Sequence, residues 1–189
     1  EFRRVLFRSD APRRRGSLRP QSCAPRRREA PKNPSACSRF TQYNPPPVSV
    51  LAPGLSWIDL RFLGRPHAIG TGVVQSARSI ALIDPGPSTC LDALELGLQA
   101  SGARLGDVTQ LLLTHIHLDH AGAVGTIVRR HPHITVYVHE RGASHMADPS
   151  KLLASAARLY GDRMDRLWGE FAAVPAANLV VLRGDRKST

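Results

Sequence analysis

The chain has 189 residues, 42% of them hydrophobic and 22% charged, enough for about one globular domain. With no apolar run of about 18 residues, a membrane-spanning helix is excluded. The net charge of +11 invites a nucleic-acid reading, yet residues 1–9 carry +2, residues 10–40 carry +7 and residues 185–189 carry +1, while 41–184 balances 12 basic against 11 acidic residues. The basicity is therefore terminal. Cys23, Cys37 and Cys90 are odd in number and lack metal-ligand spacing. They argue against a disulfide scaffold and for a reducing, cytoplasmic compartment. No basic-then-apolar leader with a small-residue cleavage site is visible.

In chain order, the ends come first. Residues 1–9, beginning with Glu1 rather than Met, and residues 185–189 back-translate to the two orientations of a common sequencing-library adapter. Both are expected to be translated adapter and are set aside from fold reasoning. Residues 10–40 hold Arg13-Arg14-Arg15, Arg26-Arg27-Arg28 and five prolines. Such a segment cannot bury enough surface to offset its ordering entropy. Without interleaved aromatics it reads as a disordered leader over 1–45, or as upstream DNA translated past the true start, ahead of a nucleic-acid-binding tail. The folded part is expected over 50–184.

Leu55–Leu63 reads as a strand with apolar residues on both faces. Ala68–Ser76 and Ser79–Ile83 read as a hairpin pair, with Gly70-Thr71-Gly72 supplying turn chemistry, since a dinucleotide loop would need a helix behind it. Asp84-Pro85-Gly86-Pro87 forces a turn. Thr89 stands three residues before Asp92, a capping-box spacing. Leu91, Leu94 and Leu98 then mark an amphipathic helix that Gly102 stops. Val108–Thr114 is an apolar strand, Ala121–Arg130 a helix and Ile134–Val138 a strand. Helical patterns, Lys151–Tyr160 among them, dominate Glu140–Phe171, and Leu179–Leu182 is one more strand. Alternation over 79–138 predicts α/β layering.

Directly after the apolar strand stands Thr114-His115-Ile116-His117-Leu118-Asp119-His120-Ala121-Gly122. Imidazole and carboxylate together suit zinc, iron or manganese. In an extended segment positions i and i+2 project to one side, so His115 and His117 converge on one ion. Where the chain turns into a helix, Asp119 and His120 face a second ion close by. Gly122 and Gly125 leave room for tight packing at the helix start. Chance assembly of His-x-His-x-Asp-His from this composition is roughly one in a thousand, so a surface histidine cluster is the weaker reading.

This motif resembles that of the metallo-β-lactamase-fold hydrolase superfamily, in which it follows an apolar strand and is preceded by an Asp at the end of an earlier strand. Here that residue is Asp84, in Leu82-Ile83-Asp84-Pro85-Gly86, and the resemblance covers roughly residues 55–184. It implies an αββα sandwich of two similar halves with one or two metal ions at one edge, zinc first, with iron or manganese as alternatives. His115 and His117 would hold the first ion, and Asp119 and His120 the second. Asp84 would sit beneath the loop and brace it by hydrogen bonds.

The family pattern also needs a downstream His, a bridging Asp and a last His. After His120 only His131, His133, His139 and His145 follow, all too early in the chain. The sequence is thus expected to hold the first half of the sandwich plus a helical insertion. Each ion would lack a ligand, and residues 41–184 alone would bind zinc weakly and turn over little. His131 and His133 flank Pro132 and read as surface residues. His139 closes a strand at the site edge and could touch substrate or brace a ligand. The block Glu140–Leu153 resembles an insertion in a bacterial subgroup whose helices would roof the metal edge. Tyr160, Met164, Leu167 and Trp168 would either line that roof or pack as core.

The activity expected is metal-dependent hydrolysis of an ester, thioester, lactone or related acyl bond of a small molecule. Asp119 would be catalytic, orienting the attacking water and accepting its proton. The alternatives are phosphodiester cleavage on the same fold, which the +1 balance of 41–184 disfavours, a nucleic-acid-binding protein acting through the Arg-rich leader, and an inactive fragment. No membrane partner is expected, nucleic acid is disfavoured, and no feature speaks to oligomeric state.

Overall fold

The computed structural model describes residues 48–184. The Arg-rich leader, Cys23 and Cys37 and both adapter-like ends lie outside the described residues. The elements in order are β1 (Val48–Ala52), β2 (Leu55–Asp59), β3 (Gly70–Gln75), β4 (Ile80–Ile83), α1 (Leu91–Ala100), β5 (Gln110–Leu112), α2 (Leu118–Ala121), α3 (Val124–Arg130), β6 (Thr135–His139), α4 (Glu140–Ala147), α5 (Ser150–Tyr160), α6 (Met164–Leu167) and β7 (Leu179–Leu182). The strands form one mixed sheet in the order β1 to β7. The first four are antiparallel neighbours, and β4 to β7 run parallel. No helix among the described residues is long and apolar enough to cross a membrane.

Register explains where the core lies. Successive strand residues point to opposite faces. Val73, Leu82, Leu111 and Val136 stand side by side across four strands, all at 1% exposure or less. Leu94 and Leu98 of α1 and Ile127 of α3 are fully buried in the same cluster. Each such side chain contributes about 1.5–3 kcal/mol by leaving water. The next row, displaced by one residue, runs Trp57, Gly72, Ile83, Leu112, Tyr137 and Val180. None of these is fully buried, so the opposite sheet face stays half-open among the described residues.

Three expectations change. The strand from Leu55 ends at Asp59, not Leu63. The Asp59 carboxylate accepts the backbone N–H groups of Arg61 (3.0 Å) and His67 (2.9 Å), and Arg61 turns away with φ 47°. Gly70-Thr71-Gly72 is not a turn but the first half of β3. There a side chain on Gly70 would collide with the Trp57 indole of β2, so glycine serves close packing on a strand. Thr89 does not cap α1. It sits in a 3-10 turn, and its hydroxyl donates to Leu167 O at 2.9 Å. β1 was not expected at all. Its exposed Val50 and Leu51 lack the alternation that betrays a half-buried strand.

The glycines of the motif's helix do permit tight packing. A Cβ on Gly122 would stand 2.9 Å from Pro87 Cα, and one on Gly125 would collide with the backbone carbonyl of Ala172. Beside it, Glu170 accepts from Thr126 Oγ1 at 3.0 Å and pairs with Arg129, so the 170–172 segment is tied to α3. A carbonyl held this way cannot swing aside as a side-chain tip would. Gly125→Ala is therefore expected to destabilise by about 1–3 kcal/mol, although Ala is the better helix former by about 1 kcal/mol. Urea unfolding reads this directly. A midpoint at or above the parent's would show that the 172 segment yields.

Candidate metal centre

Parallel strands place their carboxyl ends on one edge, where α/β sheets bind ligands. Asp84 follows β4, Thr114 to His120 follow β5, and His139 closes β6. Past Leu112 the ladder gives out: Leu113 N still donates to Tyr137 O of β6, but Thr114 N turns to Asp84 Oδ1 at 2.9 Å.

Asp84 adopts φ 52°, a left-handed conformation that Asp tolerates better than most residues. Its carboxylate is only partly reached by water and gathers three hydrogen bonds. Two come from Thr114, through its amide and through its hydroxyl at 2.5 Å, and the third from His120 Nδ1 at 2.9 Å. Burial alone would raise the Asp84 pKa, but the hydrogen bonds from His120 and Thr114 outweigh it and hold the carboxyl below its ordinary value.

This network orients two imidazole rings. The single Thr114 hydroxyl proton goes to the Asp84 carboxylate, which has none to give. The hydroxyl therefore accepts from His115 Nδ1, 3.0 Å away, and His115 presents Nε2 outward. His120 likewise commits Nδ1 to Asp84 and turns Nε2 toward Asp119 Oδ2 at 3.3 Å. The hydrogen bonds to Asp119 and then Asp84 raise the His120 pKa to about 9. Asp119 is pushed up by burial but held below its ordinary range chiefly by the His120 hydrogen bond. His115 is lowered, first by burial and then by the neighbouring His120 and His117 charges.

The motif residues thus stand together. The His115 and His117 rings meet edge to face with centroids 4.7 Å apart, and those of His115 and His120 lie 3.9 Å apart. Asp84, His115 and His120 each bring a ligand atom within 4.8 Å of the others. Three imidazoles with nearby carboxylates form a donor set that suits zinc, iron or manganese.

His139 stands at the same sheet edge, and its Nδ1 accepts from Arg141 N at 3.2 Å, capping α4. His133 Nε2 lies 3.0 Å from Val108 O, a structural contact. Two functional contacts were not foreseen. Thr114 had no assigned role, although a hydroxyl residue just ahead of the first motif His was visible. Ser88 Oγ donates to Trp168 O at 2.9 Å and, with Thr89, fastens the helices after β6 to the turn behind Asp84. Nothing in the sequence signals a contact 80 residues apart. Of the four expected roof residues, Leu167 and Trp168 are buried, while Tyr160 and Met164 pack half-buried against the core.

The model of the metallo-β-lactamase superfamily matches residues 65–185. A probable metallo-hydrolase, YqjP of Bacillus subtilis (strain 168), is 41% identical over 61 residues, covering 30% of this chain and 19% of that protein. Among solved structures, the FEZ-1 metallo-β-lactamase from Legionella gormanii superposes with a TM-score of 0.55 at 19% identity, over 74% of this chain and 47% of that one. A HARLDQ-motif metallo-β-lactamase from Cronobacter sakazakii gives 0.52 at 17% identity, over 74% and 48%. The chain spans about half the length of these structures and about a fifth of the YqjP relative.

Proposed function

Because the chain belongs to the metallo-β-lactamase superfamily, matched over residues 65–185, we propose that it serves metal-dependent hydrolysis of an ester, thioester, lactone or related acyl bond in a small molecule. The observation that carries this reading is the gathering of His115, His117, His120 and Asp119 at the carboxyl edge of the parallel strands, over the Asp84 and Thr114 brace. His115 and His117 would hold one ion. Asp119 and His120, through Nε2, would hold a second.

When bound, zinc, or iron or manganese in its place, supplies Lewis acidity that acidifies water and polarises an acyl carbonyl. The chain's own groups do the rest. Asp119, kept ionised beside His120, orients the attacking water and takes its proton. Asp84 and Thr114 hold the His120 and His115 rings in place through their Nδ1 atoms, while His120 would release its Nε2 proton for a metal to bind there. His139, at the same sheet edge with Nδ1 capping α4, would touch substrate or brace a ligand. The cysteine usage favours a cytoplasmic setting.

The test is a panel of p-nitrophenyl butyrate, butyryl-CoA, a γ-lactone and bis(p-nitrophenyl) phosphate, assayed with added zinc and with chelator. Acyl hydrolysis, small because each ion lacks a downstream ligand, should still exceed phosphodiester cleavage and vanish with chelator. Phosphodiester cleavage as the dominant zinc-dependent reaction would overturn the proposal.

A further inference from the structure

α4 carries a glycine that its backbone does not require. Gly142 is buried inside the helix and has none of the positive φ that calls for glycine. Alanine would be the better helix former there. Space is the reason for the glycine. A Cβ on Gly142 would stand 2.6 Å from Ile116 Cγ2 and 3.2 Å from Val138 Cγ2. Both are methyls of β-branched side chains, one bond beyond Cβ, so neither bends away as the tip of a long side chain would.

The helix cannot retreat either. At its start His139 Nδ1 accepts from Arg141 N at 3.2 Å. Near its end Met146 is fully buried, and its carbonyl accepts from Val174 N at 2.8 Å. Ile116, the side chain that meets Gly142, stands between His115 and His117. The two imidazoles are exposed and meet edge to face, with centroids 4.7 Å apart, whereas Ile116 is half-buried against the core. The candidate metal loop thus rests on α4 through Ile116. In a close-packed interior a displacement of that side chain passes to the residues on either side of it.

We propose that Gly142 is a positioning residue of the metal centre. Having no side chain, it lets Ile116 seat between α4 and β6, and that seat sets how His115 and His117 present their imidazoles to one ion. The proposal rests on the reading of those two histidines as ligands, not on which bond is hydrolysed.

The experiment uses the full chain, with zinc competed against a chromogenic chelator and cobalt absorption spectra recorded on the same proteins. Gly142→Ala should bind zinc about 10–100-fold more weakly, the usual cost of disturbing a group that orients a ligand, and its cobalt d–d bands should shift. Ile116→Ala empties the same contact from the loop side and carries the test should Gly142→Ala not fold. It should weaken zinc about tenfold. The double variant should bind zinc more tightly than either single one, because the added methyl takes up room that the isoleucine vacates. Gly125→Ala, whose Cβ meets Ala172 and not the motif, should keep the parent's affinity and spectrum. Parent-like affinity in Gly142→Ala or Ile116→Ala, a double variant no better than the singles, or an equal loss in Gly125→Ala overturns the proposal. His117→Ala separates the two levels. If it binds zinc like the parent, the ligand reading fails and the proposal with it. If it loses zinc while Gly142→Ala does not, the positioning role alone fails.

Discussion

His120→Ala is expected to weaken zinc binding by the full chain more than about 100-fold. Losing a group that merely orients a ligand typically costs about 10–100-fold, and here a ligand itself would go. The imidazole also separates two carboxylates. Its Nδ1 serves Asp84 and its Nε2 faces Asp119. Deleting it leaves both acids short of a donor at a site only partly open to water, which costs about 1–3 kcal/mol of stability besides. His131→Ala is the control. That residue lies outside the cluster, and its removal should leave zinc affinity where it was. Competition against a chromogenic chelator measures both variants. A His120→Ala affinity within tenfold of the parent would show that this ring does not hold the ion.

The site was easier to read than the fold around it, for a physical reason. Metal chemistry constrains residue type and spacing locally, and His115, His117, Asp119 and His120 fall within six positions. Asp84 was legible through the family resemblance alone, since by its residues Asp84-Pro85-Gly86-Pro87 reads only as a turn. The parallel strands were legible as apolar runs because their half-open face also carries apolar residues such as Ile83, Leu112 and Val180. What escaped depends on distant partners. The end of β2 is decided by Asp59 accepting from the amide of His67, eight residues away. Gly70 reads as turn chemistry until the Trp57 ring across the sheet is known. Ser88 and Thr89 look like helix-start residues, and only the packed structure shows them holding Trp168 and Leu167.

Asp84 is where brace and ligand can be told apart. Its carboxylate already accepts three hydrogen bonds, which argues for a brace. Yet it also lies within 4.8 Å of the His115 and His120 nitrogens, which would permit direct ligation. Asp84→Ala removes all three acceptor contacts and leaves the Thr114 amide unpaired. It also puts an alanine at φ 52°, where a side chain without local hydrogen bonds is strained. Together these should cost about 2–4 kcal/mol. Asp84→Asn keeps one acceptor oxygen but turns an amide N–H toward groups that themselves donate, so it should fall between the parent and Ala. If Asp84 is a brace, zinc affinity drops about 10–100-fold in the Ala variant, because His115 and His120 lose the contacts that orient their rings but remain. If it is a ligand, the drop matches that of His120→Ala. Urea unfolding and chelator competition on the same three proteins separate the cases. An Ala variant that unfolds more readily yet binds zinc like the parent would confine Asp84 to holding the loop.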